Sequence, residues 1–473
     1  MPSSPQRPKS PNLDSVTTIN ADGSHYVLHP ADVRGRFTWA RRAFGILLLT
    51  VYVGLPWIQI NEAPAVFLDI AKRQFHLFGV TLFTQDLWVL FFGITGLGFG
   101  LFFITSLLGR VWCGWACPYT VFLEHIFRRI ERLIDGDAPA RRKLDAAPWH
   151  FPKIWKRFLK HSIYLLCAAL LAHVFLSYFV SLEGLYGIML ENPTAHLKPF
   201  AVAASLTGAF YFCFAWFREQ FCIIMCPYGR LQSALSDDDT VVIGYDGLRG
   251  EPRGKASDPT NGACIDCRRC VTVCPTGIDI REGLQMECIG CAACIDACDE
   301  IMLKVGRPKG LVRYDSMNAL AGNKRRLLRP RIFAYATLGL LGLIALVATT
   351  GQKAKPYNVN SARFPGRPFD VTAEHVVNRY QLRLLNKRNQ PATFTISLQD
   401  APAGFSLSGA GQELTIPAHG EITQPAILLI EKEHYTGPTE FTIHILGNPG
   451  EVTLLHKLRF IGPNPGSLRP PQE

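Results

Sequence analysis

Five long apolar stretches restrict the possible fold of this chain more than any other feature. They lie at about 43–60, 87–108, 162–182, 199–217 and 332–350. Each reaches the roughly 17–25 residues that a helix needs to cross a lipid bilayer. A buried helix of a soluble protein is the alternative for any single run, but five such runs favour a membrane protein. The composition agrees, because 48% of the 473 residues are hydrophobic and only 18% are charged.

The distribution of basic residues predicts how the chain crosses the membrane. The net charge is +11, and Lys and Arg concentrate in segments 109–161 and 218–331. Only Lys72 and Arg73 lie between the first two apolar runs. Because loops rich in Lys and Arg stay in the cytoplasm, we expect both basic segments and the N-terminus there, in a bacterial inner membrane. We read the positive charge as this topology signal rather than as a nucleic-acid surface.

The two ends of the chain differ in character. Residues 1–40 are rich in Pro, Ser and charge and are predicted to form a cytoplasmic tail, with no cleavable signal peptide. Segment 351–473 has no cysteine and consists of short β-rich runs between turn residues, which predicts an immunoglobulin-like β-sandwich in the periplasm. These runs are Tyr380–Leu385, Thr393–Leu398, Glu413–Ile416, Ala426–Glu431, Phe441–Leu446 and Val452–Phe460. Its five histidines, 375, 419, 434, 444 and 456, have no matched spacing for a metal.

Eight cysteines in two matched runs carry the strongest chemical signal. Each run has the C-x2-C-x2-C-x3-C spacing of a bacterial ferredoxin, in which the fourth cysteine binds the neighbouring cluster. We therefore expect one [4Fe–4S] cluster on Cys264, Cys267, Cys270 and Cys298, and a second on Cys288, Cys291, Cys294 and Cys274. Structural zinc also takes four thiolates, but two complete ferredoxin runs favour iron. The fourth cysteine of the first run, Cys274, is followed by a proline, whereas the fourth cysteine of the second run, Cys298, is followed by Asp299.

A C-x3-C-P-Y motif occurs twice, each time just after an apolar run. Cys113 and Cys117 form one copy, and Cys222 and Cys226 form the other. A residue before proline avoids helical geometry, so we expect Cys117 and Cys226 at the start of new helices with proline at the first position. The helix after Pro118 is amphipathic and basic and is expected to lie along the inner membrane surface.

Four thiols beside iron–sulfur clusters could bind a soft metal, and Cu(I) prefers sulfur ligands. Met225 lies inside the second motif and could add a thioether. The alternative is that these cysteines are small apolar packing residues, which is our interpretation of Cys167 and Cys213 within the spans. His173 is ionisable and lies inside a span, so it could serve as a haem or quinone ligand.

Together these features predict a multi-domain membrane protein. It has a five-helix transmembrane domain, an inserted bacterial 2[4Fe–4S] ferredoxin-like domain and a C-terminal all-β sandwich. The predicted boundaries are a tail (1–40), four spans (41–217) with a motif loop (109–161), a cytoplasmic region (218–331) with the ferredoxin domain (about 255–305), a fifth span (332–350) and the sandwich (351–473).

The motifs RVWCGWACPYTVFLEHIFRRIER and EQFCIIMCPYGRLQSA, with the double ferredoxin run and the exported sandwich, resemble the CcoG/FixG/RdxA family. The resemblance extends from about residue 35 to the end. It implies reduction of Cu(II) to Cu(I) for assembly of cbb-type cytochrome c oxidases, with copper-delivery and oxidase-assembly proteins as partners. It also implies that Cys113, Cys117, Cys222 and Cys226 handle copper, as a substrate or transient ligand.

Two other functions fit the residues. One is a quinol-linked electron-transfer subunit of a respiratory chain, like NapH-type proteins with similar motifs. The other is a non-catalytic copper chaperone or assembly scaffold. No G-x-G-x-x-G motif lies between a strand and a helix, so the sequence does not support a nicotinamide or flavin domain and leaves the electron donor open.

Overall fold

The computed structural model describes residues 27–468 except 61, 62, 84, 85, 193, 195, 259, 327, 354, 355, 389, 400–403 and 409–412. The chain divides into two compact units between Val347 and Ala348. Of the predicted 1–40 tail, residues 1–26 lie outside this description. For residues 27–40 the prediction of a tail is wrong, because the amide of Ala31 donates to the carbonyl of Thr272 (2.8 Å) and a helix begins at Arg36.

The first unit is mostly helical. Its helices in chain order are α1 Arg36–Gly54, α2 Leu87–Leu108, α3 Val111–Trp115, α4 Pro118–Phe122, α5 Arg128–Asp135, α6 Ala138–Ala146, α7 Phe151–Leu176, α8 Leu182–Leu190, α9 Leu197–Tyr211, α10 Pro227–Leu235, α11 Gly247–Gly250, α12 Arg269–Thr272, α13 Ala293–Lys304, α14 Met317–Leu320 and α15 Pro330–Lys353. Single π-helical turns at Leu123–Phe127, Phe212–Phe217 and Phe221–Met225 join or follow these helices.

Four of the five predicted spans form helices long and apolar enough to cross a membrane. They are Trp88–Leu108, Phe151–Leu176, Leu197–Phe217 and Pro330–Thr349. The predicted run 162–182 ends too late, since its helix stops at Leu176. The first run, 43–60, is not in this set. Its helix α1 carries Arg36, Arg41 and Arg42 and stops at Gly54, before a 3-10 turn that contains Pro56.

Five short strands between α1 and α2 were not predicted from the sequence. They are β1 Gln59–Ile60, β2 Ala63–Pro64, β3 Val66–Asp69, β4 Gln74–Leu77 and β5 Val80–Phe83. Strands β3, β4 and β5 form an antiparallel sheet. It is tied to the end of the third predicted span, because the amide of Leu68 donates to the carbonyl of Tyr178 (2.7 Å).

The helical segment that follows Pro118 packs against α7. The rings of Phe127 and Tyr164 meet edge to face at 5.1 Å. Near the end of α5, the carboxylate of Asp135 accepts from Lys160 of α7 (2.6 Å). Part of the apolar side of this segment therefore covers a neighbouring helix, and its position along the inner membrane surface stays a prediction.

A two-stranded antiparallel sheet, β6 Val242–Tyr245 with β7 Val312–Asp315, flanks the ferredoxin-like segment. Residues 246–311 between these strands hold all eight ferredoxin cysteines, so the sheet closes the base of this insertion.

The second unit is the predicted β-sandwich. Its strands are β8 Tyr357–Arg363, β9 Asp370–Val371, β10 His375–Asn386, β11 Ala392–Gln399, β12 Phe405–Ser408, β13 Leu414–Ile416, β14 Glu421–Glu431, β15 Thr439–Asn448 and β16 Val452–Phe460. One sheet has the order β12-β14-β10-β8, with β9 on β10, and the other has the order β13-β11-β15-β16. Alternate residues such as Leu382, Phe394, Leu428 and Phe460 fill the core between them. All six predicted strand runs fall within or overlap these strands, while β8, β9 and β12 were not predicted.

Candidate metal centres

The eight ferredoxin cysteines surround two neighbouring cavities. One is lined by Cys264, Cys267, Cys270 and Cys298. The other is lined by Cys274, Cys288, Cys291 and Cys294, with Cys270 again at its edge. We call these cavity I and cavity II. Their linings match the predicted division of the ligands, in which the fourth cysteine of each run joins the other quartet.

Local backbone geometry makes these cavities. Asp266, Arg268 and Ala292 adopt positive φ angles of 49°, 51° and 62°, and Gly290 has φ 68°. Left-handed residues at these points curl each C-x2-C loop around a centre. The helices α12 and α13 then carry Cys270, Cys294 and Cys298. Aliphatic side chains of Ile243, Ile278, Ile280 and Ile289 complete cavity II.

Both cavities fit a cluster better than a single ion. Among the residues that the structure describes, no group of three or more His, Cys, Asp or Glu side chains lies close enough to hold one metal ion. Four thiols set further apart around a cavity suit the corners of a cubane. Burial raises the pKa of Cys270, Cys288 and Cys298 to about 12. These thiols therefore release protons when they bind metal.

The first C-x3-C-P motif packs directly on the loop of cavity II. A Cβ placed on Gly114 would lie 2.6 Å from the carbonyl oxygen of Ile289 and 2.9 Å from Cα of Cys291. A Cβ on Gly290 would lie 3.1 Å from the carbonyl of Arg110. The two backbones can approach this closely only because neither position carries a side chain. Cys113 is accordingly buried in one cluster of residues with Cys291.

The second motif joins the first at the same place. Burial, followed by the thiols of Cys117, Cys113 and Cys226, raises the pKa of Cys222 to about 12. The amide nitrogen of Gln232 lies 3.6 Å from Sγ of Cys113. We call Cys113, Cys117, Cys222 and Cys226 the thiol quartet.

The predicted helix starts are confirmed. Cys117 and Cys226 have extended ψ angles of 122° and 112° and cap α4 and α10, with Pro118 and Pro227 at the first helical positions.

Two arginines that were not predicted as site residues belong to these centres. Arg110 contacts the Cys113 thiol, and its guanidinium would lie 2.9 Å from a Cβ on Gly229, which neighbours Cys226. Arg41 lies against the Cys291 thiol and 3.5 Å from the carboxylate of Glu124. Both cations offset the negative charge that thiolates acquire. The position of Arg110, three residues before Cys113, is the one local signal that pointed to it.

A network of buried ion pairs supports this region. Arg218 lies 3.1 Å from the carboxylate of Glu131, and Arg128 lies 3.1 Å from Glu219 while donating to the carbonyl of Pro275 (3.0 Å), next to Cys274. Although burial opposes ionisation, Arg218 and Lys160 lower the pKa of Glu131 to about 2. The Glu131 carboxylate therefore stays charged, and the network ties these helices to Pro275 beside cavity II.

The remaining candidate residues lie elsewhere. His173 bonds to the carbonyl of Ala169 (2.7 Å) on its own helix, and Cys167 packs among apolar residues of α4, α7 and α9. Met225 is 62% exposed. In the sandwich, His456 pairs with Ser361 and His434 with Glu431. None of these groups, as far as the structure describes them, joins a set of three metal-binding side chains.

Helices of spanning length joined to a double cysteine cavity define a membrane iron–sulfur protein. Comparison with protein families agrees. A 4Fe-4S dicluster domain matches residues 217–317, a 4Fe-4S binding domain matches residues 89–136, and the IG-like fold at the C-terminal of FixG matches residues 347–463.

Three relatives match most of the chain. Protein RdxA of Cereibacter sphaeroides is 38% identical and covers 83% of this chain and 87% of its own length. The nitrogen fixation protein FixG of Rhizobium meliloti is 34% identical, and the match covers 84% of this chain and 85% of FixG. Protein RdxB of C. sphaeroides is also 34% identical, and the match covers 85% of this chain and 88% of RdxB. The chain belongs to the FixG/RdxA family, as the motifs predicted. It is a membrane iron–sulfur oxidoreductase that functions in electron transfer.

Proposed function

We propose that this protein reduces Cu(II) to Cu(I) and so supplies copper for assembly of a cbb-type cytochrome c oxidase. The observation that carries the proposal is the backbone contact of Gly114 with Ile289 and Cys291, which sets the thiol quartet on the loop of cavity II. The choice of copper as the substrate and of the oxidase as its destination rests on the family resemblance. The one-electron relay in the proposal rests on the two cysteine-lined cavities.

The ferredoxin-like segment provides the path for electrons. When bound, a [4Fe–4S] cluster supplies one-electron transfer. We assign Cys264, Cys267, Cys270 and Cys298 as ligands at cavity I, and Cys274, Cys288, Cys291 and Cys294 as ligands at cavity II. Cys270 lies on the wall of both cavities, so the two centres are neighbours. The isoleucines around cavity II keep water away from that end of the path.

The thiol quartet provides the place for copper. Thiolates favour Cu(I) over Cu(II), which raises the driving force for the reaction Cu(II) + e⁻ → Cu(I). Two thiolates are enough to hold Cu(I), so the quartet does not need the close trio that a larger coordination number requires. The guanidinium of Arg110 offsets the thiolate charge, and Gln232 orients Cys113. The thiols are ligands and are not consumed.

The proposed setting is the bacterial inner membrane, with the cysteine cavities in the cytoplasm and the sandwich in the periplasm. Copper-delivery and oxidase-assembly proteins are the proposed partners.

The test is to replace Cys113 and Cys226 together with serine. Iron and sulfide content and the low-temperature EPR signals should remain near those of the unmodified protein, because neither residue lines a cavity. Anaerobic reduction of Cu(II) by the pre-reduced protein should fall by about tenfold or more, since a lost soft ligand is worth at least about 1.4 kcal/mol. The matched control, Cys167→Ala, removes a thiol outside the quartet and should retain full activity.

The same assay separates the rival functions. Unchanged copper reduction in the double variant would place copper elsewhere and refute this site. Clusters that stay reduced while copper binds would show a scaffold without redox activity. Efficient cluster reduction by a quinol, with no effect of copper on reoxidation, would favour the quinol-linked subunit.

A further inference from the structure

An open groove lies beside the two cysteine cavities and takes no part in the copper proposal. Its walls come from the segment Arg34–Phe37, from helix α13 and from residues 309–314 that lead into β7. We propose that this groove binds a phosphate-bearing flavin, such as reduced FMN, which delivers the electrons that the protein uses. The inference requires the iron–sulfur relay but not copper.

The groove is connected to both cysteine cavities. Val312 lines the groove and also cavity I. The hydroxyl of Tyr314 donates to the carbonyl of Gly290 (2.6 Å) in the loop of cavity II and accepts from Nε1 of Trp115 (3.2 Å) in the first C-x3-C-P motif. A molecule in the groove is therefore separated from each cavity by about one side chain.

The charges of the groove favour an anion. Its acidic side chains are already engaged. Asp296 accepts from the amide of Thr38 (2.7 Å), Asp299 accepts from the amide of Gly310 (2.9 Å), and Glu300 pairs with Lys304 (2.5 Å). Among the described residues, Arg36 and Lys309 line the same groove with no carboxylate within salt-bridge distance, and Arg34 lies at longer range from Glu300, which already pairs with Lys304. These three cations can bind a phosphate.

Aromatic groups provide a surface for a ring system. Phe37 and Tyr314 meet edge to face at 5.6 Å, and the guanidinium of Arg36 lies 4.7 Å from the ring centre of Phe37. Both rings line the groove and are only partly buried. An isoalloxazine could pack against them while its phosphate meets the cations.

Electron counting selects the same class of ligand. Each cubane accepts one electron, so a hydride donor cannot reduce it directly. A reduced flavin loses two electrons and two protons to become the oxidised flavin, one electron for each of the two clusters, and the protons pass to solvent. A quinol has the same electron count, but its uncharged ring gives no role to Arg34, Arg36 and Lys309.

The experiment measures flavin binding and cluster reduction in the full-length protein. Quenching of flavin fluorescence gives the affinity for FMN and for riboflavin, which lacks the phosphate. The test variant is Arg34→Gln/Lys309→Gln, and the matched control is Lys143→Gln/Lys255→Gln, which removes the same charge from other exposed positions. We expect FMN to bind about tenfold more tightly than riboflavin, a preference that salt and the test variant abolish and the control retains.

Reduced FMN, added anaerobically, should bleach the cluster absorbance faster than reduced riboflavin or menadiol in the unmodified protein and in the control. Equal affinities for FMN and riboflavin, or equal losses in both double variants, would overturn the proposal. So would rapid cluster reduction by menadiol with none by reduced FMN. Because dithionite reduces the clusters without the groove, copper reduction after dithionite treatment tests the copper proposal separately.

Discussion

Gly114 shows how a single residue couples the thiol quartet to cavity II. In sequence it is an unremarked member of the run Cys113-Gly-Trp-Ala-Cys117, with no turn or positive φ to demand glycine. Its role becomes visible only when the loop 289–291 is placed against it. The atoms that a side chain would meet belong to backbone, which cannot rotate away as a side chain does.

We therefore predict that Gly114→Ala separates the motif from the cluster loop. The cost should be about 1–3 kcal/mol of stability, as for other overpacked sites, with partial loss of iron from cavity II. Iron and sulfide content and thermal unfolding in detergent measure both effects. Gly187→Ala is the matched control, because nothing lies within 4 Å of a Cβ there, and iron loss of the same size in that variant would refute the role of Gly114.

Glu131 sets the response of the protein to acid. Its carboxylate is 2% exposed and is held by Arg218, Arg141 and Lys160. These cations outweigh burial and lower the pKa of Glu131 from 4.5 to about 2. A lowered folded-state pKa gives stability that is complete above the unfolded value and is lost as pH falls toward the folded value. The loss should thus occur between about pH 4.5 and pH 2.

The prediction is that Glu131→Gln lowers stability at neutral pH by about 3–5 kcal/mol, because it leaves buried arginines without their partner. It should also flatten the acid limb of the stability curve, since one group with a shifted pKa is gone. Denaturant unfolding of the detergent-solubilised protein from pH 7 to pH 3 measures both effects. A variant with an acid limb as steep as that of the unmodified protein would show that other carboxylates control acid stability.

At the scale of elements, contact between helices is set by features that local patterns do not reveal. Helix α1 begins where Asp296 of α13 accepts the amides of Phe37 (3.3 Å) and Thr38 (2.7 Å). A Cβ on Gly35 would overlap that carboxyl group. The start of α1 is thus capped by a residue some 260 positions away, which no reading of local capping residues could find.

Elements with local signals were predicted well. Proline fixed the starts of α4 and α10, ferredoxin spacing divided the eight cysteines, and β-rich runs between turn residues located most strands of the sandwich. The hairpin strands between α1 and α2 escaped because their short runs follow a stronger apolar pattern. Arg41 and Gly114 escaped because their roles depend on residues far away in the chain.

Helices α2 and α15 pack through glycine. A Cβ on Gly342 would lie 2.8 Å from Cα of Gly96, and one on Gly96 would lie 3.3 Å from the carbonyl carbon of Gly342. Apolar side chains gain little by leaving lipid, so close backbone contact is a main source of attraction between spanning helices.

Gly96→Val should therefore lower the thermal stability of the purified protein by the equivalent of about 1–3 kcal/mol. Gly98→Val on the same helix is the control, since nothing lies within 4 Å of a Cβ at that position. Both variants add the same helix-disfavouring residue, so only the contact with α15 differs. Equal destabilisation would show that helix propensity, and not packing, accounts for the effect.

At the scale of the whole molecule, contacts bring the two basic segments together. Residues 110–114, after α2, touch residues 289–291, before α15. At the other junction, Arg329 donates to the carbonyl of Ser106 (2.8 Å) near the end of α2. The start of α1 is bound to α13 and so joins the same group of segments. Helix α1 has 19 residues and is about 28 Å long, which is close to the thickness of a bilayer core. Tyr52, in the last turns of α1, donates to the carbonyl of Leu171 (3.1 Å) near the end of α7.

The last prediction is that these basic segments are cytoplasmic and that the chain after α15 is periplasmic. Lys and Arg concentrate around the cysteine cavities and immediately before α15, and such loops resist export. A phosphatase fused after Glu473 should be active, whereas one fused after Asp299 should be inactive. Fusion after Asp69, in the hairpin between α1 and α2, tests α1 itself. Three helices of spanning length separate Asp69 from Asp299, so these two fusions should lie on opposite sides of the membrane. Activity after Asp69 with inactivity after Asp299 requires α1 to cross the bilayer, whereas inactivity after Asp69 would refute this topology.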